Sequence, residues 1–302
     1  MVKKLRIGMR SSPLSYKQTQ EVSSKLEAQG VQVELQSFVT SGDLFLQKPL
    51  RDIGGKGLFT KEIEEALLRN EIDCAVHSYK DMPTQLPDEL MIGAVLERED
   101  PRDAWISREG KPLHLLAPGA IVGTASLRRQ VILRQSFPHL AICEIRGNIQ
   151  TRLEKMDRGE MDGLILAFAG LKRLGELNRI TEVLPITFFC PATAQGALAL
   201  ECRKSDFRTL EMIRFLNHEP TSIATTVERA FLKALDGSCR TPIGCYADIT
   251  EGILWLRGFI AKKDATFFSW LDKKILLSGL RDPYQFGWEQ GNLLLKKHQG
   301  KL

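Results

Sequence analysis

The chain contains no apolar run near the ~18 residues that a membrane-spanning helix needs, and no low-complexity tract. Its six cysteines (Cys74, Cys143, Cys190, Cys202, Cys239 and Cys245) are scattered and include no C-x-x-C pair. That argues against the disulfide framework of a small secreted domain, and no Cys/His spacing suits a metal, so no metal site is expected. Aromatic residues are few (14 Phe, 4 Trp and 4 Tyr), and none is interleaved with basic residues as a single-strand nucleic-acid binder would have them. Gly54-Gly55-Lys56-Gly57 lacks the Walker pattern, which excludes a P-loop. The charge excess is mild, 42 Lys+Arg against 37 Asp+Glu, and does not by itself indicate a nucleic-acid partner. The opening residues Met1 to Gly8 carry two lysines but no apolar segment of signal-peptide length. A cytoplasmic location with no membrane partner is expected.

What is present suits a globular protein: 302 residues, 43% hydrophobic and 26% charged. Domains cluster near about 100–150 residues, so two or three are expected. Leu5 to Gly8 is a short strand. Ser12 then suits an N-cap and Pro13 the first helical position, with Gly30 beyond the helix end. Val31, Val33, Leu35 and Val39 alternate as a strand does. A helix holding Ile63, Ala66 and Leu67 precedes a buried strand at Cys74-Ala75-Val76. The same grammar restarts after Pro101, with strands at Ile121–Gly123, Ala141–Ile145 and Leu164–Ala167. Each is followed by a turn or helix start: Thr124–Arg129, Arg146–Asn148 and Ala169–Arg173. Two similar α/β units with mainly parallel sheets and a cleft between them are therefore expected. Ligands in such folds sit beyond the carboxyl ends of strands. The last third differs, with a helix over Thr221–Leu235, a loop to Pro242, a strand over Ile253–Ile260 and a closing helix from Tyr284 to Lys297. It reads as a small α+β domain.

Arg10, Arg128, Arg129, Arg146, Arg152 and Arg173 all fall in strand-to-helix turns or first helical turns. Free N–H groups and the helix dipole favour an anion there, and the guanidinium fork matches a carboxylate. Ser12, Thr124 and Ser126 stand beside them. A solvated basic face is the competing reading for any one arginine, but six at equivalent places make coincidence harder to sustain. In His77-Ser78-Tyr79-Lys80-Asp81-Met82-Pro83, the proline is expected to keep Asp81 in an extended loop. Asp81 could there stabilise a developing cation, or merely pair with Lys80. His77 reads as a packed histidine. Cys239 lies in a Gly-Ser-Cys-Arg-Thr-Pro loop, where Arg240 would favour its thiolate; an idle loop cysteine is the alternative.

Taken together, these segments resemble the porphobilinogen deaminase (hydroxymethylbilane synthase) family. The matching stretches are Gly54–Phe59, Ala75–Pro83, Arg98–Ala104, Gly123–Arg129, Ile145–Asn148, Ala169–Gly175 and the Cys239 loop, in order across about Leu5 to Ala261. Residues past Ala261 are not diagnostic. The resemblance implies a transferase of porphyrin biosynthesis, with a dipyrromethane cofactor joined by a thioether to Cys239. Four porphobilinogen molecules add to it with loss of ammonia, and hydrolysis then frees the linear tetrapyrrole. By the same resemblance, Asp81 is catalytic: it hydrogen-bonds pyrrole N–H groups and stabilises the azafulvene-like cation left when ammonia departs. Lys80, Asp81, Thr124, Ser126, Arg128, Arg129, Arg146 and Gly147 match cofactor-binding positions. Arg10, Ser12, Lys56, Ser78, Arg146, Arg152, Arg173 and Gln195 match substrate-binding ones, which suits a ligand gaining two carboxylates per ring.

The fold implied is two periplasmic-binding-protein-like α/β domains plus a small α+β C-terminal domain, in a monomer. The expected boundaries are 1–97 with 197–216, 98–196, and 217–302. Three positions depart from the family pattern: Asp52 for a frequent lysine, Ala194 for a glycine before Gln195, and Ser238 for a glycine before Cys239. A solute-binding protein of two lobes would not need Cys239, and a nucleic-acid binder would not need Asp81.

Overall fold

The structure, a computed structural model, describes residues 3–44, 57–235 and 241–299. Strand β1 (Lys3–Arg10) leads through α1 (Pro13–Glu27) to β2 (Val31–Phe38) and the single turn α2 (Ser41–Leu44). Helix α3 (Lys61–Leu68), β3 (Cys74–Ser78) and β4 (Leu90–Val95) come next. They are followed by β5 (Asp103–Ser107), β6 (Ile121–Gly123), α4 (Leu127–Ser136) and β7 (Ala141–Cys143). Then come α5 (Ile149–Asp157), β8 (Gly163–Ala167), α6 (Phe168–Leu174) and β9 (Glu182–Val183). β10 (Leu198–Arg203), α7 (Phe207–Ile213) and α8 (Glu219–Ala234) precede a run of β11 (Ile243–Thr250), β12 (Ile253–Ala261), β13 (Phe268–Leu276) and α9 (Pro283–Gln299). Packing divides the chain into two compact units, Met1–Glu99 with Ala197–Ser222, and Asp100–Gly196 with Ile223–Leu302.

The first unit is built on a sheet of order β2-β1-β3-β10-β4. Leu5, Ile7, Val76, Leu198 and Leu200 form a core with Val22 and Leu26 of α1. Another cluster joins Ile63 and Leu67 of α3 to Ile72, Ala75 and Leu90. Burial on both faces explains why β3 reads as an unbroken apolar run instead of alternating. Ser12 Oγ accepts from Ser15 N at 3.2 Å and Pro13 opens α1, as its sequence predicts.

In the second unit the sheet order is β7-β6-β8-β5-β9. Trp105 of β5 is fully buried, and Gly163 on β8 makes room for it. A Cβ at Gly163 would lie 2.2 Å from the Trp105 ring and 2.4 Å from Ile106 O. The same unit carries the antiparallel sheet β11-β12-β13. Phe231 of α8, Leu254 and Leu256 of β12 and Leu294 of α9 fill its core. Phe259 and Tyr246 pack instead with Trp105 of β5, Val131 of α4 and Phe189. The expected class, two α/β sheets plus a small C-terminal module, is what the chain has.

The sheets are mixed where mainly parallel ones are expected. β1 runs parallel to β2 and β3, but β10 runs antiparallel to β3 and β4. Likewise β6 is parallel to β7 and β8, while β5 is antiparallel to β8 and β9. β5 and β10 flank the excursion of the chain between the two sheets. No local crossover helix links them to their neighbours, so nothing enforces a parallel direction. Three local expectations also change. Tyr79–Asp81 forms a 3₁₀ turn, and only Met82, which directly precedes proline, is extended (ψ 140°). The strand starting at Ala141 ends at Cys143, short of Ile145. Arg173 falls in the last turn of α6, not at a helix start, because Gly175 (φ 77°) closes that helix after seven residues.

Candidate functional site

In the first unit the candidate residues gather at the carboxyl ends of β1 and β3. Arg10 is the last residue of β1. Its N–H donates to Ser15 Oγ at 3.1 Å, and its guanidinium lies 4.3 Å from the centre of the Phe59 ring. Such stacking orients a guanidinium. Ser78, last in β3, accepts from Gln18 Nε2 at 2.7 Å. The turn that follows leaves Lys80 half-buried and Asp81 exposed. His77 points elsewhere: it is buried, with Nε2 3.0 Å from Glu201 Oε2 on β10. Burial pushes the nearby Glu64 carboxyl above its usual range, helped by the charge of Glu201.

In the second unit Thr124, Ser126, Arg128, Arg129, Arg146, Gly147, Arg152 and Arg173 follow the ends of β6, β7 and β8. Thr124 is buried and its Oγ1 accepts from Ser126 N at 3.2 Å. Ser126 is the N-cap of α4, but its side chain makes no capping bond. Arg146 donates from Nε to Glu144 Oε1 at 2.9 Å. Gly147 has φ 113°, which only glycine adopts readily, and a Cβ there would sit 2.9 Å from Thr151. Asn148 then caps α5 by accepting from Thr151 N at 2.8 Å, and Arg152 Nε ties the turn down at Gly147 O, 2.8 Å away. Arg173 reaches Gly196 O at 3.4 Å.

Arg128 and Arg129 differ from the other candidate arginines in being buried. They converge on Asp103, the first residue of β5, to which the sequence reading assigns no role. Arg128 Nη2 donates to Asp103 Oδ2 and Arg129 Nη2 to Oδ1, both at 2.7 Å. Gln195 Nε2 adds a bond to Oδ1 at 2.9 Å and one to Pro101 O at 2.7 Å. Burial alone would raise the Asp103 carboxyl, but the two guanidiniums and the Gln195 amide outweigh it and hold the group well below the usual carboxylate range. The Nε atoms of Arg128 and Arg129 are buried without a partner among the described residues. Ala194, in place of glycine, adopts φ 57°. Its N–H is held by Glu228 Oε2 at 2.6 Å, while Glu228 Oε1 accepts from Ala247 N at 2.7 Å. The backbone before Gln195 thus takes the turn despite its methyl group.

Cys239 and Lys56 lie outside the described residues, as do Asp52, Ser238 and Arg240. Cys74, Cys190, Cys202 and Cys245 are buried and Cys143 half-buried. Burial pushes the Cys190 thiol up to about 12 and that of Cys202 up to about 11, far from a reactive thiolate at neutral pH. Among the described residues no cluster of His, Cys, Asp and Glu could hold a metal ion, and no helix is long and apolar enough to cross a membrane. Asp103, Glu201 and Glu228 are the groups that motif reading misses. Their acidic side chains sit within strands or a helix, and nothing local marks them as buried.

A family model for the porphobilinogen deaminase dipyromethane cofactor binding domain matches residues 5–211, and one for the porphobilinogen deaminase C-terminal domain matches residues 222–295. The chain belongs to the porphobilinogen deaminase family. Like the family, it is an enzyme; it has both the cofactor-binding and the C-terminal domain, and its function is hydroxymethylbilane synthesis in the tetrapyrrole route. Some solved structures match at low identity. A lipoprotein from Treponema pallidum is 12% identical with a TM-score of 0.47, over 72% of this chain and 92% of that one. The methionine binding protein MetQ is 16% identical with a TM-score of 0.45, over 70% and 89%. A nutrient binding protein from Burkholderia cenocepacia, bound to methionine, is 13% identical with a TM-score of 0.42, over 68% and 90%.

Proposed function

We propose that this porphobilinogen deaminase is a transferase that joins four porphobilinogen units head to tail, with loss of ammonia, on a dipyrromethane held through a thioether to Cys239. Hydrolysis then releases the linear tetrapyrrole. The observation that carries the reading is the pair of buried Nε–H groups on Arg128 and Arg129 that have no acceptor among the described residues. A pyrrole pair bearing acetate and propionate groups offers the charged acceptors that such donors lack. When bound, dipyrromethane supplies the primer on which the product grows.

The chain's own residues divide the remaining work. Lys80, Thr124, Ser126, Arg128, Arg129, Arg146 and Gly147 are assigned to the cofactor. Arg10, Ser12, Lys56, Ser78, Arg146, Arg152, Arg173 and Gln195 are assigned to the incoming carboxylates. Asp81, exposed at its turn, faces the positive charge that develops as ammonia leaves and accepts from pyrrole N–H groups; fixed charge of this kind is often the largest catalytic contribution. Cys239 is favoured for attachment because burial raises the thiols of Cys74, Cys190 and Cys202 and leaves them poor nucleophiles. We assign three domains, 1–97 with 197–216, 98–196, and 217–302, to an enzyme acting as a monomer in the cytoplasm.

Intact-protein mass spectrometry tests the reading. The expected mass is that of the chain plus two pyrrole units, with the increment gone in Cys239→Ser. Active protein of unmodified mass would overturn the attachment.

A further inference from the structure

Asp103 has no exposed surface, and its two oxygens are shared between Arg128 and Arg129. The far nitrogen of each guanidinium is also fixed. Arg128 Nη1 donates to Cys190 O at 2.6 Å, and Arg129 Nη1 to Ile165 O at 2.7 Å. Each planar fork is therefore gripped at both ends and cannot rotate without breaking a charge-assisted bond. The Nε–H of each is left over, buried and without an acceptor among the described residues. Native proteins rarely leave such donors unmatched, so the pair points to a missing acceptor. Charge points the same way, because one carboxylate offsets only one of two guanidiniums that are both always protonated.

We propose that Asp103 is a positioning residue: it orients Arg128 and Arg129 as one unit and cancels half their charge, so that the pair takes a single carboxylate of its ligand. Gln195 completes the grip by donating to the same oxygen as Arg129. The inference rests on the reading that these arginines bind carboxylates of dipyrromethane. A purely structural salt cluster would be expected to use all its buried donors internally, which this one does not do among the described residues.

The test is Asp103→Asn in the full chain, read by intact mass, by the side-chain Nε–H resonances of arginine and by the split between KM and kcat. In the unsubstituted protein two slowly exchanging Nε–H signals are expected, assigned by their loss in Arg128→Lys and Arg129→Lys. Asp103→Asn should remain folded by circular dichroism, shift or broaden both signals, and gain the pyrrole increment about 10²-fold more slowly, the scale of a misplacement of about 1 Å. Unchanged signals together with normal loading in the folded variant would overturn the proposal. If Asp103→Asn does not fold, Asp103→Glu keeps the charge and moves it by one methylene; displaced signals and slow loading are expected, and wild-type values for both would overturn it. A wild-type chain that never carries the increment would refute the cofactor reading instead. In that case the Nε–H signals still decide Asp103, and their persistence in the variant counts against it.

Discussion

At the end of β1, Ser12 Oγ accepts from Ser15 N and caps α1; at the matching end of β6, Ser126 holds the same N-cap position and makes no such bond. The two large sheets invite this residue-by-residue matching because they share one strand order and one pattern of directions. Their cations are held differently. Arg10 in the first unit is half-buried and rests on the face of Phe59, whereas Arg128 and Arg129 in the second are buried on Asp103. The buried carboxylates also serve different partners, since Glu201 meets His77 and Asp103 meets two arginines. One backbone plan therefore supports two electrostatic strategies. The first unit leaves Arg10 and Asp81 nearer solvent, and the second fixes Arg128 and Arg129 in a desolvated cluster where each bond is stronger and each loss costs more.

The contrast can be broken most severely at Asp81. It lies three residues past the end of β3, where the matching place after β8 is Gly170. Asp81→Asn is expected to keep the pyrrole mass increment yet lose about 10²-fold or more in turnover; near-normal steady-state rates would demote it to a structural part. Stability comes next. Asp103→Ala strands two buried guanidiniums and should cost about 3–5 kcal/mol in urea unfolding. Glu201→Gln in the first unit keeps an acceptor for His77 and should cost only about 1–3 kcal/mol. Equal losses would mean that the two clusters are equivalent after all.

The pH dependence should differ in sign between the units. The Asp103 carboxyl is lowered in the folded state, so its contribution is present above the unfolded value of about 4 and is lost as pH falls further. The Glu64 carboxyl is raised, so its contribution is present below about 4 and is lost as pH rises through the folded value. Melting curves from pH 3 to 7 should accordingly show Asp103→Asn least stable relative to wild type at neutral pH, with the gap closing in acid. Glu64→Gln should gain relative to wild type at neutral pH and match it in acid. The smallest effect concerns backbone strain. Ala194→Gly relieves a left-handed alanine and should add about 1 kcal/mol, seen as a higher Tm. Asn70 in the first unit has φ 58°, which asparagine tolerates, so Asn70→Gly should leave Tm nearly unchanged.

Much of the fold is legible along the chain because its signals are local. The cap and proline at Ser12-Pro13, the buried run at Cys74–Val76 and the turn at Arg146–Asn148 each depend on near neighbours, and each is found close to where it is expected. Arg173 is misplaced by the same local reading, since nothing at Ala169–Arg173 announces how soon the αL glycine will end the helix. β5 and β10 are harder still. Their direction depends on a chain excursion and not on composition, so a reading built on strand–helix alternation makes the sheets too parallel.

From the residue types alone came the family, the α/β class and the supply of arginines, serines and one loop carboxylate that carboxylate-rich chemistry would use; each is written in short spans of sequence. Which cations would be sealed from water was settled only by packing. Asp103 lies 25 and 26 residues before its arginines and 92 before Gln195. Only a folded sheet brings those four side chains within hydrogen-bonding reach and removes the solvent that would otherwise weaken their charges.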